Sequence, residues 1–210
     1  MKSTIFKLTN PKYKLVDKQF QRFDEIYKVP TLPAYAILNH DLIRNATDVD
    51  GLDNTTDYEI IEDTIRIKRV DLIPEGLHTN CSLTLFYAGI RDYSLLFPHI
   101  SDPKLKERLG QFAEEADNTF QNGSWMSFTI MAISAIEGLL FNEIGNKKLN
   151  QLIEKAHEIG ILNTNEKALL HSAREVRNRV HAGLFKEPLA DRIFGTDLYV
   201  LYDQLIKKDW

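Results

Sequence analysis

Between Ser124 and Asn142 the chain carries one charged residue, Glu137. This is its longest low-charge run, and it limits the fold more than any other feature. Such a run is either a membrane span or a helix enclosed by other elements. Several Ser and Thr residues and the carboxylate argue against a span, because ionisable groups are costly inside a bilayer. The segment reads as a buried, central helix, with no membrane partner.

A central helix needs a bundle around it, and the punctuation on both sides supplies one. Ser101-Asp102-Pro103 has the form of a helix start, with proline suited to the first turn. Leu105, Leu109, Phe112, Ala113, Ala116 and Phe120 follow at helical spacing, and Asn122-Gly123 is a stop signal. The central helix then runs to about Ile144, before Gly145-Asn146. A shorter amphipathic helix fills Lys148 to Ile159 and is closed by Gly160. Asn163-Thr164-Asn165-Glu166 offers a cap for the next helix, expected to run through His181 to Gly183. A last helix fills much of 189–208. Ser82 to Phe97, apolar and aromatic up to Pro98, also reads as helical.

The first third has a different texture. Thr4 to Leu8 and Ala34 to Leu38 are short apolar stretches among turn residues. Residues 45–57 have loop composition. Thr64-Ile65-Arg66-Ile67-Lys68-Arg69-Val70 alternates with period two, the clearest strand pattern in the chain. The expected class is α+β: a β-rich region over 1–100, with a sensor or partner-binding role, then a helical domain over 101–210. The boundary falls within 72–102.

Composition narrows the function classes. The net charge of −4 excludes a globally basic nucleic-acid binder but allows a local basic patch. One cysteine, Cys81, excludes an internal disulfide and a cysteine-cluster zinc site, and suits a reducing cytoplasm. The N-terminus has no apolar signal-peptide core. His40, His78, His99 and His157 show no metal-ligand spacing. The acidic loop at 48–57 lacks the full ligand pattern and terminal Glu of a calcium loop. Neither a metal nor a cofactor is expected.

The chemistry concentrates on the fourth helix of the bundle. Leu169, Ala173, Val176 and Val180 form one apolar stripe at about 100° per residue. By the same arithmetic Arg174, Arg177 and His181 share an adjacent stripe, with Asn178 near enough to join. Guanidinium groups bind phosphate oxygens in bidentate fashion and stabilise developing negative charge. Imidazole moves protons near neutral pH. Together they suit RNA cleavage without metal, by attack of the ribose 2′-OH on the adjacent phosphorus. Residues 171–186 hold Arg174, Arg177, Arg179 and Lys186 against Glu175 alone, a basic spot in an acidic chain. Glu137, on the central helix, requires a partner for its charge, and Arg174 or Arg177 is expected to supply it. The bland alternatives are a His181 that serves the helix C-terminus and arginines that are solvated or paired to Glu137.

The string Arg174-Glu-Val-Arg177-Asn178-Arg-Val-His181 resembles the motif of HEPN domains, an Arg followed after four to six residues by His. Ala116 to Glu137, with its Phe120-x-x-Gly123 turn and Ser134-Ala-Ile-Glu137-Gly-Leu-Leu140, resembles the first two helices of that family. Gly160-Ile-Leu162 is similar as well. The resemblance covers about 102–208. It implies a helical bundle that forms homodimers with two motifs in one cleft. It further implies a metal-independent endoribonuclease of defence or toxin systems, acting on single-stranded RNA and restrained by an antitoxin or defence partner. Other members of the family are inactive and serve as dimerisation or nucleotide-binding scaffolds. The Arg-x6-His count fits Arg174, whereas Arg177 is the arginine followed by Asn178; both stay open as the motif arginine.

Overall fold

The computed structural model describes residues 1–46, 57–71, 79–208 and 210. The acidic loop considered above as a calcium site, apart from Asp57, lies outside the described residues, as does His78. The chain is α+β and divides into two compact units, Met1–Asp92 and Tyr93–Trp210.

Among its described residues the N-terminal unit holds seven strands: β1 (Lys2–Leu8), β2 (Lys12–Asp17), β3 (Arg22–Lys28), β4 (Tyr35–Ala46), β5 (Tyr58–Ile61), β6 (Thr64–Asp71) and β7 (Thr79–Ile90). They form two antiparallel sheets, ordered β1-β7-β4 and β2-β3-β6-β5. Alternation decides which side chains go inward. Phe6 and Leu8 are buried on β1, Ile65 and Ile67 on β6, and Cys81, Leu83, Leu85 and Tyr87 on β7. Tyr35 meets Phe6 and Tyr87 edge-on. The helix expected over Ser82 to Phe97 is therefore not formed. Residues 79–90 are a strand, and only Tyr93–Leu96 turns, as one 3₁₀ segment. Phe86 and Thr84, on the opposite face, hide the period-two burial of β7 in a nearly continuous apolar run.

The C-terminal unit holds α1 (Pro103–Gln121), α2 (Trp125–Ile144), α3 (Leu149–Glu158), α4 (Thr164–Asn178) and α5 (Arg192–Ile206). The punctuation in the sequence has physical counterparts here. Asp102 Oδ1 accepts hydrogen bonds from the backbone N–H groups of Lys104 and Leu105, at 2.8 and 3.2 Å. Asn163 Oδ1 accepts from Asn165 and Glu166 N–H, while Glu166 Oε2 accepts from Asn163 N–H, a reciprocal capping box. Gly145 ends α2 at φ +94°, a conformation L side chains rarely adopt.

Helix α2 is long and apolar enough to cross a bilayer by length and composition alone. In this unit, however, it packs against α1, α3, α4 and α5. Phe128, Ala132, Ile133, Ala135, Ile136, Leu139 and Leu140 are fully buried by those neighbours, so α2 is a core helix. Leu109, Leu152, Ile153, Leu170, Ala173 and Leu198 complete that core. One close approach fixes α5: a Cβ on Gly195 would lie 2.9 Å from Trp125 Cε3.

Candidate active site at the end of α4

Helix α4 buries Leu170, Ala173 and Val176, one position off the stripe read from the sequence at its first member. This rotation sets where the polar residues emerge. Arg177 comes out beside the core and its Nη1 donates to Glu137 Oε2 of α2 at 3.0 Å. The contact expected for Glu137 is present, with Arg177 rather than Arg174 as the partner. It is not a buried pair: the Glu137 and Arg177 side chains are 36% and 28% exposed. The α2 surface is open at Glu137, so the carboxylate keeps contact with water.

Arg174 is placed differently. Its closest carboxylate is that of Glu175, 3.9 Å from Nη2 and beyond hydrogen-bond reach. Its Nε is buried with no hydrogen-bond partner among the described residues, while the side chain as a whole is 33% exposed. The Arg174 guanidinium is thus partly buried, with Glu175 its nearest carboxylate.

His181 departs from the sequence expectation. Helix α4 ends at Asn178, so His181 shares no helical stripe with Arg174. Arg179 N–H bonds to Val176 O, three residues back, which tightens and closes the last turn. Val180 finds no core to enter and is 53% exposed. His181 itself is extended, at φ −75° and ψ 132°, and exposed. Asn178, the last helical residue, is exposed and accepts from His181 N–H at 3.2 Å.

The segment after the helix is pinned despite being irregular. Leu184 N–H bonds to His181 O at 2.9 Å across a 3₁₀ turn, Ala182–Leu184, and Glu187 N–H bonds to Leu184 O at 2.9 Å. Arg179 Nη1 donates to Pro188 O at 2.7 Å, drawing the two ends of residues 179–188 together. The result is a tied loop that carries His181.

Other polar side chains of this unit have structural duties. His171 Nε2 and Lys167 Nζ both reach Glu154 of α3, at 2.9 and 2.7 Å. These bonds, Lys167 first, hold the Glu154 carboxyl below its usual range. His157 Nδ1 lies 3.0 Å from Leu162 O. Among the described residues no group of three His, Cys, Asp or Glu side chains could hold a metal ion.

Sequence reasoning missed a polar centre in the N-terminal unit. Glu25 of β3, fully buried, takes Arg44 Nε at 2.8 Å, Tyr27 OH at 2.7 Å and Tyr13 OH at 3.3 Å. Burial, with Glu25 beside it, pushes the Cys81 thiol up to about 11. The available signal was Phe23, Glu25 and Tyr27 at alternate positions of one strand. No protein-family model, no curated protein and no solved structure matches the chain.

Proposed function

We propose that the C-terminal unit is a metal-independent endoribonuclease of HEPN type, acting on single-stranded RNA as a homodimer in the cytoplasm. In this reading it is a defence or toxin effector held in check by an antitoxin or defence partner. One observation carries the choice of residues. Glu137 engages Arg177 at 3.0 Å, whereas the nearest carboxylate to Arg174 is that of Glu175 at 3.9 Å, so Arg174 is taken as the phosphate-binding guanidinium and the exposed His181 as the proton carrier.

The reaction needs no group beyond those residues. The 2′-oxygen forms a bond to the neighbouring phosphorus and its proton passes to a base. The bond from phosphorus to the 5′-oxygen breaks, and that oxygen takes a proton from an acid. The products are a 2′,3′-cyclic phosphate and a 5′-hydroxyl. His181 supplies the imidazole, and in a dimer two copies are present, one as base and one as acid. Arg174 holds the non-bridging oxygens and answers the charge that builds on them. Arg177, oriented by Glu137, positions the end of α4, and the Asn178 side chain is free to hydrogen-bond the substrate.

A binding module without chemistry is the second reading. The early end of α4 favours it, because His181 leaves the stripe of Arg174. Incubation of the purified chain with single-stranded RNA in EDTA separates the two. Cleavage is expected, with loss of about 10²–10⁴-fold in His181→Ala and a comparable loss in Arg174→Ala. DNA of the same sequence should stay intact. No cleavage of varied RNAs by the folded chain would leave the binding module.

A further inference from the structure

We infer that Phe185, with Lys186, is a stacking platform for an unpaired base of a single-stranded nucleic acid beside His181. Phe185 is 79% exposed, the most exposed aromatic side chain in the C-terminal unit. It sits on the tied loop four residues after His181. The backbone bonds from Leu184 to His181 and from Glu187 to Leu184, and the Arg179 bond to Pro188, hold that loop in shape. The ring is therefore presented rather than merely left outside. Val180, Leu184 and Leu189 on the same segment are 53%, 42% and 59% exposed.

Charge selects the occupant. Lys186 Nζ lies 5.7 Å from the Phe185 ring centroid. Residues 171–186 carry Arg174, Arg177, Arg179 and Lys186 against Glu175, in a chain of net charge −4. An exposed aromatic face with a cation alongside suits a base and its phosphate at once. A duplex keeps its bases stacked inside and offers the ring nothing, so the class is single-stranded. The inference deepens the ribonuclease reading by naming how substrate is gripped, and it rests on that reading for the nucleic-acid class.

The test uses the full chain and a labelled single-stranded 2′-deoxy oligonucleotide of mixed sequence, with its duplex as comparison. The probe lacks the 2′-OH, so binding is measured without cleavage. The single strand is expected to bind more tightly than the duplex. Phe185→Ala should weaken single-strand binding by at least about five-fold, whereas Phe185→Trp should keep the affinity and show emission quenched on binding. Equal affinity of Phe185→Ala and the unaltered chain overturns the platform, as does preference for duplex or no binding at all. A fall in affinity that coincides with conversion of a dimer to a monomer in size-exclusion chromatography also overturns it, because the patch then joins two copies of the chain. RNA cleavage with KM unchanged in Phe185→Ala would remove the platform and leave the ribonuclease. Binding that depends on Phe185 without any RNA cleavage would do the reverse.

Discussion

Each unit of the chain joins two of its elements through a carboxylate and a guanidinium, and the two pairs are built in opposite ways. In the N-terminal unit Glu25 and Arg44 connect β3 of one sheet to β4 of the other, with side-chain exposures of 0% and 9%. Two tyrosine hydroxyls share the carboxylate, and burial pushes the Tyr27 phenol far above its usual range, so it stays a hydrogen-bond donor. In the C-terminal unit Glu137 and Arg177 connect α2 to α4 at the surface, with one hydrogen bond between them. The first pair is removed from water, so its carboxylate takes several partners, while Arg44 Nη2 lies buried with no hydrogen-bond partner among the described residues. The second is screened by solvent and contributes little to stability. What it does is hold the Arg177 side chain of α4 against α2.

The largest expected effect comes from breaking the buried pair. Glu25→Ala leaves the Arg44 charge without its partner inside the unit, at a loss of about 3–5 kcal/mol. Both tryptophans, Trp125 and Trp210, belong to the C-terminal unit, so their fluorescence reports on that unit alone. Urea titration should show the strand signal in far-UV circular dichroism lost early, with the tryptophan transition unmoved. Coincident shifts of both signals would show that the two units unfold as one, and the comparison between them would lose its meaning.

Glu137→Gln is the matching change at the surface. Its expected loss is under about 1 kcal/mol in the tryptophan-monitored transition, shrinking further in high salt as the Debye length shortens. The same variant should lower RNA cleavage less than Arg174→Ala does. A loss as large as that of Glu25→Ala would mean that Glu137 is structural and that the open pair has no orienting role.

The two pairs also differ in how far the sequence exposed them. Glu137 was legible because a lone carboxylate on an apolar helix requires a partner, and the nearest basic helix supplied two choices. Caps at Asp102 and Asn163 and stops at Gly145 and Gly160 were legible because they are local chemistry. Glu25 and Arg44 lie on strands of separate sheets, and their meeting depends on non-local pairing that no window of sequence contains. Strand β2 was invisible for a simpler reason: Lys12 to Val16 are all exposed, so no inward face marks it. His181 was misplaced because helical arithmetic carries on past Asn178, whereas the helix itself stops where Val180 has no core to join. Phe185 drew no notice, because exposure of an aromatic cannot be read from its neighbours in sequence.

A third polar group tests whether burial without an answering charge behaves differently again. His99, ahead of α1, stacks on Trp210 at 5.5 Å and 25°, and its Nε2 is buried with no hydrogen-bond partner among the described residues. Burial lowers its pKa below 6.5; Glu143 opposes that shift and Lys106 adds to it. The unfolded chain therefore takes up the proton first as pH falls. Below pH 6.5 the unfolded state binds more protons at this site, so stability falls with pH until the folded group titrates as well. His99→Phe keeps a ring against Trp210 and removes the titration. The urea midpoint followed by tryptophan fluorescence should then fall less steeply between pH 7 and 5 than in the unaltered chain, by the contribution of one group. Parallel slopes for the two would show that the His99 ring reaches solvent freely and that its stack on Trp210 opens in solution. Burial at Glu25, whose carboxylate accepts from one guanidinium and two hydroxyls, would then differ in kind from burial at His99.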